Sequence, residues 1–176
     1  MSALYVPAEP RFAVHRSEYV LDPITGAPTK LAGDSAGDDG ASFISVLVMT
    51  HSGEDKGNKP GMVWVWAQVT PGRRARASAM TNLVLAMPPS PHTRASSSQL
   101  MGSGAADDPT VDIGRRLTSR FKRPIFVSLN NVSTSRLTAS AAAMGPSLAL
   151  SMAQADELVA LESCLVAELK VALPNA

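Results

Sequence analysis

Residues 116–131 have the sequence RLTSRFKRPIFVSLNN and join the end of a helix to the start of a strand. Basic and apolar residues are mixed up to Phe121, and Pro124 then stops the helix because proline lacks a backbone N–H. The next six residues, IFVSLN at 125–130, are rich in β-branched and aromatic side chains, which predicts a strand. Since successive side chains of a strand point to opposite faces, this strand carries apolar residues on both faces. It therefore needs cover on both sides.

The helix before this strand has a clear start. Asp108 suits the N-cap, Pro109 suits the first helical position, and Asp112 places negative charge near the positive end of the helix dipole. A buried stripe then recurs every four residues, at Ile113, Leu117 and Phe121. Basic side chains fall largely on the other sides of the helix: Arg115, Arg116, Arg120 and Lys122.

Three or four further strands precede the helix. Residues 42–50 and 62–69 are apolar runs separated by the polar stretch 51–61, which predicts an antiparallel pair with a long hairpin loop. Residues 82–87 form a third predicted strand, which two prolines end. Residues 100–101 are a candidate for a short fourth strand.

The paired strands do not alternate between apolar and polar residues as half-exposed strands do. The first strand has Ile44, Val46 and Val48 on one face and Phe43, Ser45, Leu47 and Met49 on the other. The second has Val63, Val65, Ala67 and Val69 on one face and Met62, Trp64 and Trp66 on the other. Two helices can cover one face of such a sheet. The second face therefore needs the N-terminal segment, a second layer from this chain, or another subunit.

These elements predict an α+β fold with one domain, in which a largely antiparallel β-sheet packs against amphipathic helices. The predicted organisation has five parts: an N-terminal segment at 1–20 that supplies a strand, a flexible loop at 21–41, a core at 42–131, a Ser/Ala-rich linker at 132–150, and an amphipathic helix at 151–173. Ser151 and Gln154 have the spacing of a capping box at the start of that last helix.

Composition limits the classes of function. The net charge of +1 gives no overall attraction to nucleic acid or to an anionic membrane. One cysteine, Cys164, cannot form an intramolecular disulfide, and the first residues lack the pattern of a signal peptide. No apolar run approaches the roughly 20 residues that cross a bilayer. We expect a cytoplasmic protein without a membrane partner, with nuclear localisation left open.

No group of residues indicates catalysis. His15, His51 and His92 lie in separate segments, so we expect no metal site. Cys164 follows the apolar pattern of the last helix, which favours a buried thiol over a nucleophile. The glycine-containing stretch 102–108 lacks the lysine of a phosphate-binding loop and carries two carboxylates. We therefore expect neither an enzyme nor a cofactor, with a small-molecule enzyme as the third hypothesis.

Two basic patches support a different hypothesis. Arginines at 73–76 and basic residues at 115–123 could contact phosphates of RNA. No aromatic residues are interleaved with them for base stacking, so a solvated face or an acidic protein partner explains the charges at least as well. An RNA-binding module is therefore the alternative hypothesis, and we do not favour a nucleic-acid ligand.

The core also resembles a known family. NLVLAM at 82–87 is followed by SQLMG at 98–102, by the capped helix and by IFVSLN at 125–130, with weaker support from WAQVTP at 66–71. In order and spacing, this pattern resembles the proteasome assembly chaperone 4 family. The positions that carry the resemblance are Asn82, Leu83, Ala86, Met87, Leu100, Gly102, Arg116, Leu117, Phe126, Val127, Ser128 and Asn130.

The resemblance implies a small non-enzymatic chaperone that forms a heterodimer with a sister protein, proteasome assembly chaperone 3. It also implies that the pair promotes assembly of the alpha-subunit ring of the 20S proteasome. We then expect apolar contacts with the sister subunit and polar contacts with alpha-type subunits. The predicted partner-binding residues are Trp64, Trp66, Leu83, Arg115, Arg116, Arg120 and Phe126.

Overall fold

The structure is a computed structural model and describes residues 11–22, 24–32, 41–52, 61–71, 79–102, 108–130 and 147–174. Within these ranges the chain forms seven strands and two α-helices. In chain order they are β1 (Arg11–Leu21), β2 (Pro28–Lys30), β3 (Ser42–Ser52), β4 (Val63–Pro71), β5 (Leu83–Met87), β6 (Ser96–Met101), α1 (Pro109–Phe121), β7 (Ile125–Asn130) and α2 (Ser147–Ala172).

All seven strands form one sheet in the order β2-β1-β3-β4-β7-β5-β6. Each neighbouring pair is antiparallel except β4 and β7, which run parallel with Trp64 opposite Phe126. β7, which follows α1 in the chain, lies inside the sheet between β4 and β5. The prediction of an α+β fold with a largely antiparallel sheet is confirmed.

The capping chemistry predicted for α1 is confirmed. The Asp108 carboxylate accepts a hydrogen bond of 2.9 Å from the backbone N–H of Thr110, and Pro109 occupies the first turn. At the other end, Lys122 adopts a left-handed conformation and donates its backbone N–H to the carbonyl of Thr118. The helix therefore ends before Pro124, as the sequence predicts.

The prediction of a flexible loop over 21–41 is wrong for its first half. The side chain of Asp22 accepts hydrogen bonds from the backbone N–H groups of Ile24 and Thr25, at 2.9 and 2.8 Å. Together with the positive φ of Gly26, these bonds close a tight turn. The chain returns as β2 and pairs with β1, with Lys30 opposite Tyr19.

Two other boundaries differ from the sequence prediction. α2 begins at Ser147, four residues before the expected start at Ser151, because Leu and Ala at 148–150 are themselves strong helix formers. β6 spans Ser96–Met101 instead of two residues, since pairing with β5 overrides the weak strand preference of serine. Parts of the predicted organisation lie outside the described residues: 1–10, 33–40, 53–60, 72–78, 103–107 and 131–146.

Both helices pack on the same face of the sheet. α1 lies over β5 and β7, and α2 lies over β1 to β3. Gly114 lets α1 approach closely, because a Cβ atom at this position would lie 3.3 Å from the Cβ of Ala86. The core between the helices and the sheet includes Ile44, Val46, Val48, Val65, Ile113, Leu117, Ile125, Val127, Leu161, Leu165 and Leu169.

A buried carboxylate attaches the β1–β2 hairpin to α2. Glu168 is buried and accepts hydrogen bonds from the Tyr19 hydroxyl at 2.5 Å and from Nζ of Lys30 at 2.6 Å. Burial alone would raise the pKa of Glu168, but hydrogen bonds from Lys30, Tyr19 and Ser17 outweigh it and lower the pKa below its ordinary value. Burial, followed by the neighbouring Glu168, raises the pKa of Tyr19, so its hydroxyl stays a donor.

The lowered pKa of Glu168 makes the stability of the fold pH-dependent. The ionised carboxylate stabilises the native state above the ordinary pKa of 4.5, and this stabilisation is lost as the pH falls through the lower native value. At pH 7, Glu168→Gln should reduce the free energy of unfolding by about 1–3 kcal/mol. Urea denaturation of both proteins should show this difference shrinking below pH 4.5. A difference that stays constant would contradict the role of the charge.

Candidate partner-binding surfaces

The sheet face opposite the helices carries a row of apolar side chains across five strands. The strand register places the members of this row next to one another: Val14, Met49, Trp64, Phe126 and Leu85. A second pair, Leu47 and Trp66, lies beside the row. We call these residues, together with Phe12, Met62 and Leu83, the open face. Among the described residues, neither helix covers it, since both pack on the other side of the sheet.

Exposure is high for an apolar surface. Phe12 is 66% exposed and Val14 59%, while Trp64 and Phe126 are half-buried. The rings of Trp64 and Phe126 stack with their centres 4.5 Å apart and their planes at 22°. A contiguous exposed patch of this kind is characteristic of a protein–protein contact.

A pocket of about 480 Å³ opens on this surface. Its lining is almost entirely apolar and consists of Phe12, Met49, His51, Met62 and Trp64. The ring centres of Phe12 and His51 are 5.0 Å apart. Methionine side chains adapt their shape easily, so the pocket suits an apolar side chain inserted from a partner.

Side-chain hydrogen bonds join the start of β5 to neighbouring elements. The amide of Asn82 accepts the backbone N–H of Leu129 at 3.0 Å and donates to the Thr110 hydroxyl at 2.8 Å. The Asn130 amide accepts from the backbone N–H of Thr81 at 3.2 Å and donates to the carbonyl of Ala79. These bonds fasten the start of β5 to β7 and to the first turn of α1. Asn82 and Asn130, which helped carry the family resemblance, therefore hold the fold together.

The outer side of α1 carries the predicted basic residues. The guanidinium of Arg116 binds both carboxylate oxygens of Glu162 on α2, with Nε and Nη2 contacts of 2.8–3.1 Å. The hydrogen bond to Glu162 raises the pKa of Arg116. Arg115 makes only a weak 3.5 Å contact with Asp112, and both side chains are half exposed or more. Arg116 therefore links the two helices, whereas Arg115 and Arg120 point outward from the same helix.

The predicted partner-binding residues form two groups on opposite sides of the molecule. Trp64, Trp66, Leu83 and Phe126 lie on the open face, and Arg115, Arg116 and Arg120 lie on the outer side of α1. Sequence reasoning placed Met62 on the same strand face as Trp64, but it missed three other members of the open face: Phe12, Val14 and Leu85. The two apolar residues Phe12 and Val14, which lie two positions apart in β1 and so on one face, were the signal that could have identified part of it.

The described residues offer neither a candidate metal site nor a reactive thiol. They contain no group of three or more side chains that could hold a metal ion. None of their helices is long and apolar enough to span a membrane. Cys164 is 1% exposed, and burial raises its pKa to about 12, so the thiol stays protonated near neutral pH.

The buried thiol gives a direct check of the helix packing. We expect Cys164 to resist alkylation by iodoacetamide in the native protein at pH 8 and to react fully in urea, because only unfolding exposes it. Mass spectrometry of the two samples would measure the modified fraction. Rapid labelling without denaturant would contradict the docking of α2 against the sheet.

The core of the chain is similar to a known protein family. The family model described as Proteasome assembly chaperone 4 matches residues 44–130, which span β3 to β7. A search of solved structures finds a chain of the "Crystal Structure of a Novel Chaperone Complex for Yeast 20S Proteasome Assembly", with a TM-score of 0.40 and 15% sequence identity. That similarity covers 89% of this chain and 96% of the other. No curated protein matches the sequence.

Proposed function

We propose that this chain, which belongs through residues 44–130 to the proteasome assembly chaperone 4 family, is a non-enzymatic chaperone for assembly of the 20S proteasome. The match to the family model is the reason for proposing a role in proteasome assembly. The observation that carries the molecular part of the proposal is the open face, an apolar surface that neither described helix covers. Such a surface favours aggregation of an isolated chain, whereas in a complex a partner can bury it.

The sister subunit is the partner that we assign to the open face. A protein of the proteasome assembly chaperone 3 type would lay its own apolar surface against the row that includes Trp64 and Phe126, forming a heterodimer. Contact with a partner would bury much of the surface that the two stacked, half-buried rings still expose. The pair is therefore a suitable centre for an interface. The sheet edges are less suited, since β2 has three residues and β6 begins with three serines.

The proteasome subunits are assigned to the opposite, polar side. The outer side of α1 carries charge and is separated from the open face by the sheet, so both partners can bind at once. A charged, solvated contact dissociates more readily than an apolar one, which suits a factor that leaves when the alpha ring is complete. We place this activity in the cytoplasm, and the nucleus is the second compartment to examine.

The first test is native mass spectrometry of the tagged full chain, isolated from its own cells at moderate salt. We expect a one-to-one complex with a second small protein, accompanied by free alpha-type subunits or incomplete rings. Mature 20S particles should be absent from the preparation. A stable monomer or homodimer without proteasome subunits would overturn the proposal.

A matched pair of substitutions tests the open face. Val14 on the open face and Val171 on α2 are 59% and 61% exposed, so a change to glutamate at either site costs the isolated chain little. Val14→Glu should weaken the heterodimer by about tenfold or more, because a charge would be buried against an apolar partner. Val171→Glu should leave it unchanged. Equal effects of the two variants would show that the open face is not the interface.

The aromatic centre of the same surface gives a stronger effect. Trp64→Ala should reduce heterodimer affinity by at least about tenfold, since buried tryptophans dominate interfaces. Circular dichroism and thermal unfolding of the variant would confirm that the sheet is intact. Wild-type affinity in a folded Trp64→Ala protein would exclude this residue from the contact.

A further inference from the structure

A broad groove lies between α1 and the turn that connects β5 to β6. Pro89, Arg94 and Ala95 line one wall, and the other wall consists of Arg115, Arg116, Ser119 and Arg120. Its volume is about 670 Å³, and it is wide open to solvent. It lies on the helix side of the sheet, away from the open face.

The charges of the groove are almost all positive. Arg94 and Arg120 are exposed and have no hydrogen-bond or ion-pair partner among the described residues, and Arg115 has only its 3.5 Å contact with Asp112. Glu162 of α2, which contacts this helix, is already bound by two nitrogens of Arg116. Three guanidinium groups are thus available to an anionic ligand.

The walls of the groove are well fixed. Ser90 and Thr93 exchange two backbone hydrogen bonds of 3.0 and 3.2 Å, and their hydroxyls lie 2.7 Å apart, which closes the turn that precedes Arg94. The ion pair between Arg116 and Glu162 holds α1 against α2. A groove with fixed walls loses little conformational entropy when a ligand binds.

We propose that this groove binds an acidic segment of a polypeptide, with Arg94, Arg115 and Arg120 pairing with aspartate or glutamate side chains. The planar guanidinium group matches a carboxylate through two parallel hydrogen bonds. Pro89 and Ala95 add apolar surface that suits the aliphatic parts of a peptide. RNA fits less well, because no aromatic side chain lines the groove and the stacked pair Trp64–Phe126 lies on the other side of the sheet.

The charge of the ligand follows from the groove itself, whereas its identity rests on the proposed function. If the chain assists proteasome assembly, the acidic segment belongs to a proteasome subunit. The groove and the open face then bind different partners on opposite sides of the same sheet.

Fluorescence anisotropy with the full chain, together with any partner it carries, tests the charge preference. The probe is a labelled ten-residue peptide of alternating glutamate and serine, and the comparison probes are the glutamine–serine analogue and a ten-nucleotide RNA of mixed sequence. The glutamate peptide should bind at least about tenfold more tightly than the glutamine peptide, and its affinity should fall with added salt. The proposal would be overturned if neither peptide binds. It would also be overturned if the RNA binds more tightly than the glutamate peptide and Arg94→Glu or Arg120→Glu abolishes that RNA binding.

Charge reversal locates the site. Arg94→Glu and Arg120→Glu should each weaken binding of the glutamate peptide by about tenfold, whereas Lys170→Glu, the same change of charge on the exposed side of α2, should alter it less than about twofold. Arg94 follows the turn between β5 and β6, so its substitution tests the groove without changing a helix. Wild-type affinity in the Arg94→Glu protein would exclude the groove.

Capture from cells separates this inference from the proposed function. If the Arg94→Glu protein captures proteasome subunits as well as the wild type does, the function stands and the groove is not the subunit site. If the glutamate peptide binds but no proteasome subunit is captured with either protein, the acidic specificity stands and the proposed function fails.

Discussion

The insertion of β7 between β4 and β5 is the constraint on which the rest of the structure depends. Because β7 follows α1 directly, the parallel pairing of β7 with β4 places α1 over the part of the sheet formed by β7, β5 and β6. α2 then packs beside α1 on the same face, where the aliphatic side chains of the central strands lie. Both described helices pack on one face of the sheet, so neither of them covers the second apolar face.

This one-sided arrangement separates two kinds of chemistry. The open face offers aromatic and aliphatic surface, whose burial is favourable without regard to direction. The outer side of α1 offers guanidinium groups, which select partners by charge and geometry. The sheet and α1 itself lie between them, so a ligand on one side does not obstruct a ligand on the other. A chain with this layout is suited to joining two different partners.

The residues that carried the family resemblance have mostly structural roles. Asn82 and Asn130 form hydrogen bonds with the backbone at the start of β5 and in β7, and Leu117 and Val127 belong to the core. Arg116 bridges the two helices through Glu162. Phe126 differs, since it lies in the row of the open face. These positions therefore mainly determine the fold, and only Leu83 and Phe126 among them belong to the open face.

Local chemistry in the sequence was enough to determine several elements. The caps and the four-residue spacing of α1, the paired runs of β3 and β4, and the strand IFVSLN were predictable because each depends on neighbouring residues. The apolar character of both faces of these strands was also visible. The hairpin to β2 and the full length of β6 were not, because pairing with a neighbouring strand decides them more than their own residues do.

Tertiary structure alone decided which apolar face is covered. The helical patterns showed that α1 and α2 must each bury a stripe, but not that both would do so on the same side of the sheet. The grouping of Arg94 with Arg115 and Arg120 likewise arises from folding, since the turn after β5 meets a helix that begins 15 residues later in the chain than Arg94. Such groupings depend on contacts between distant segments, and no local pattern records which segments will meet.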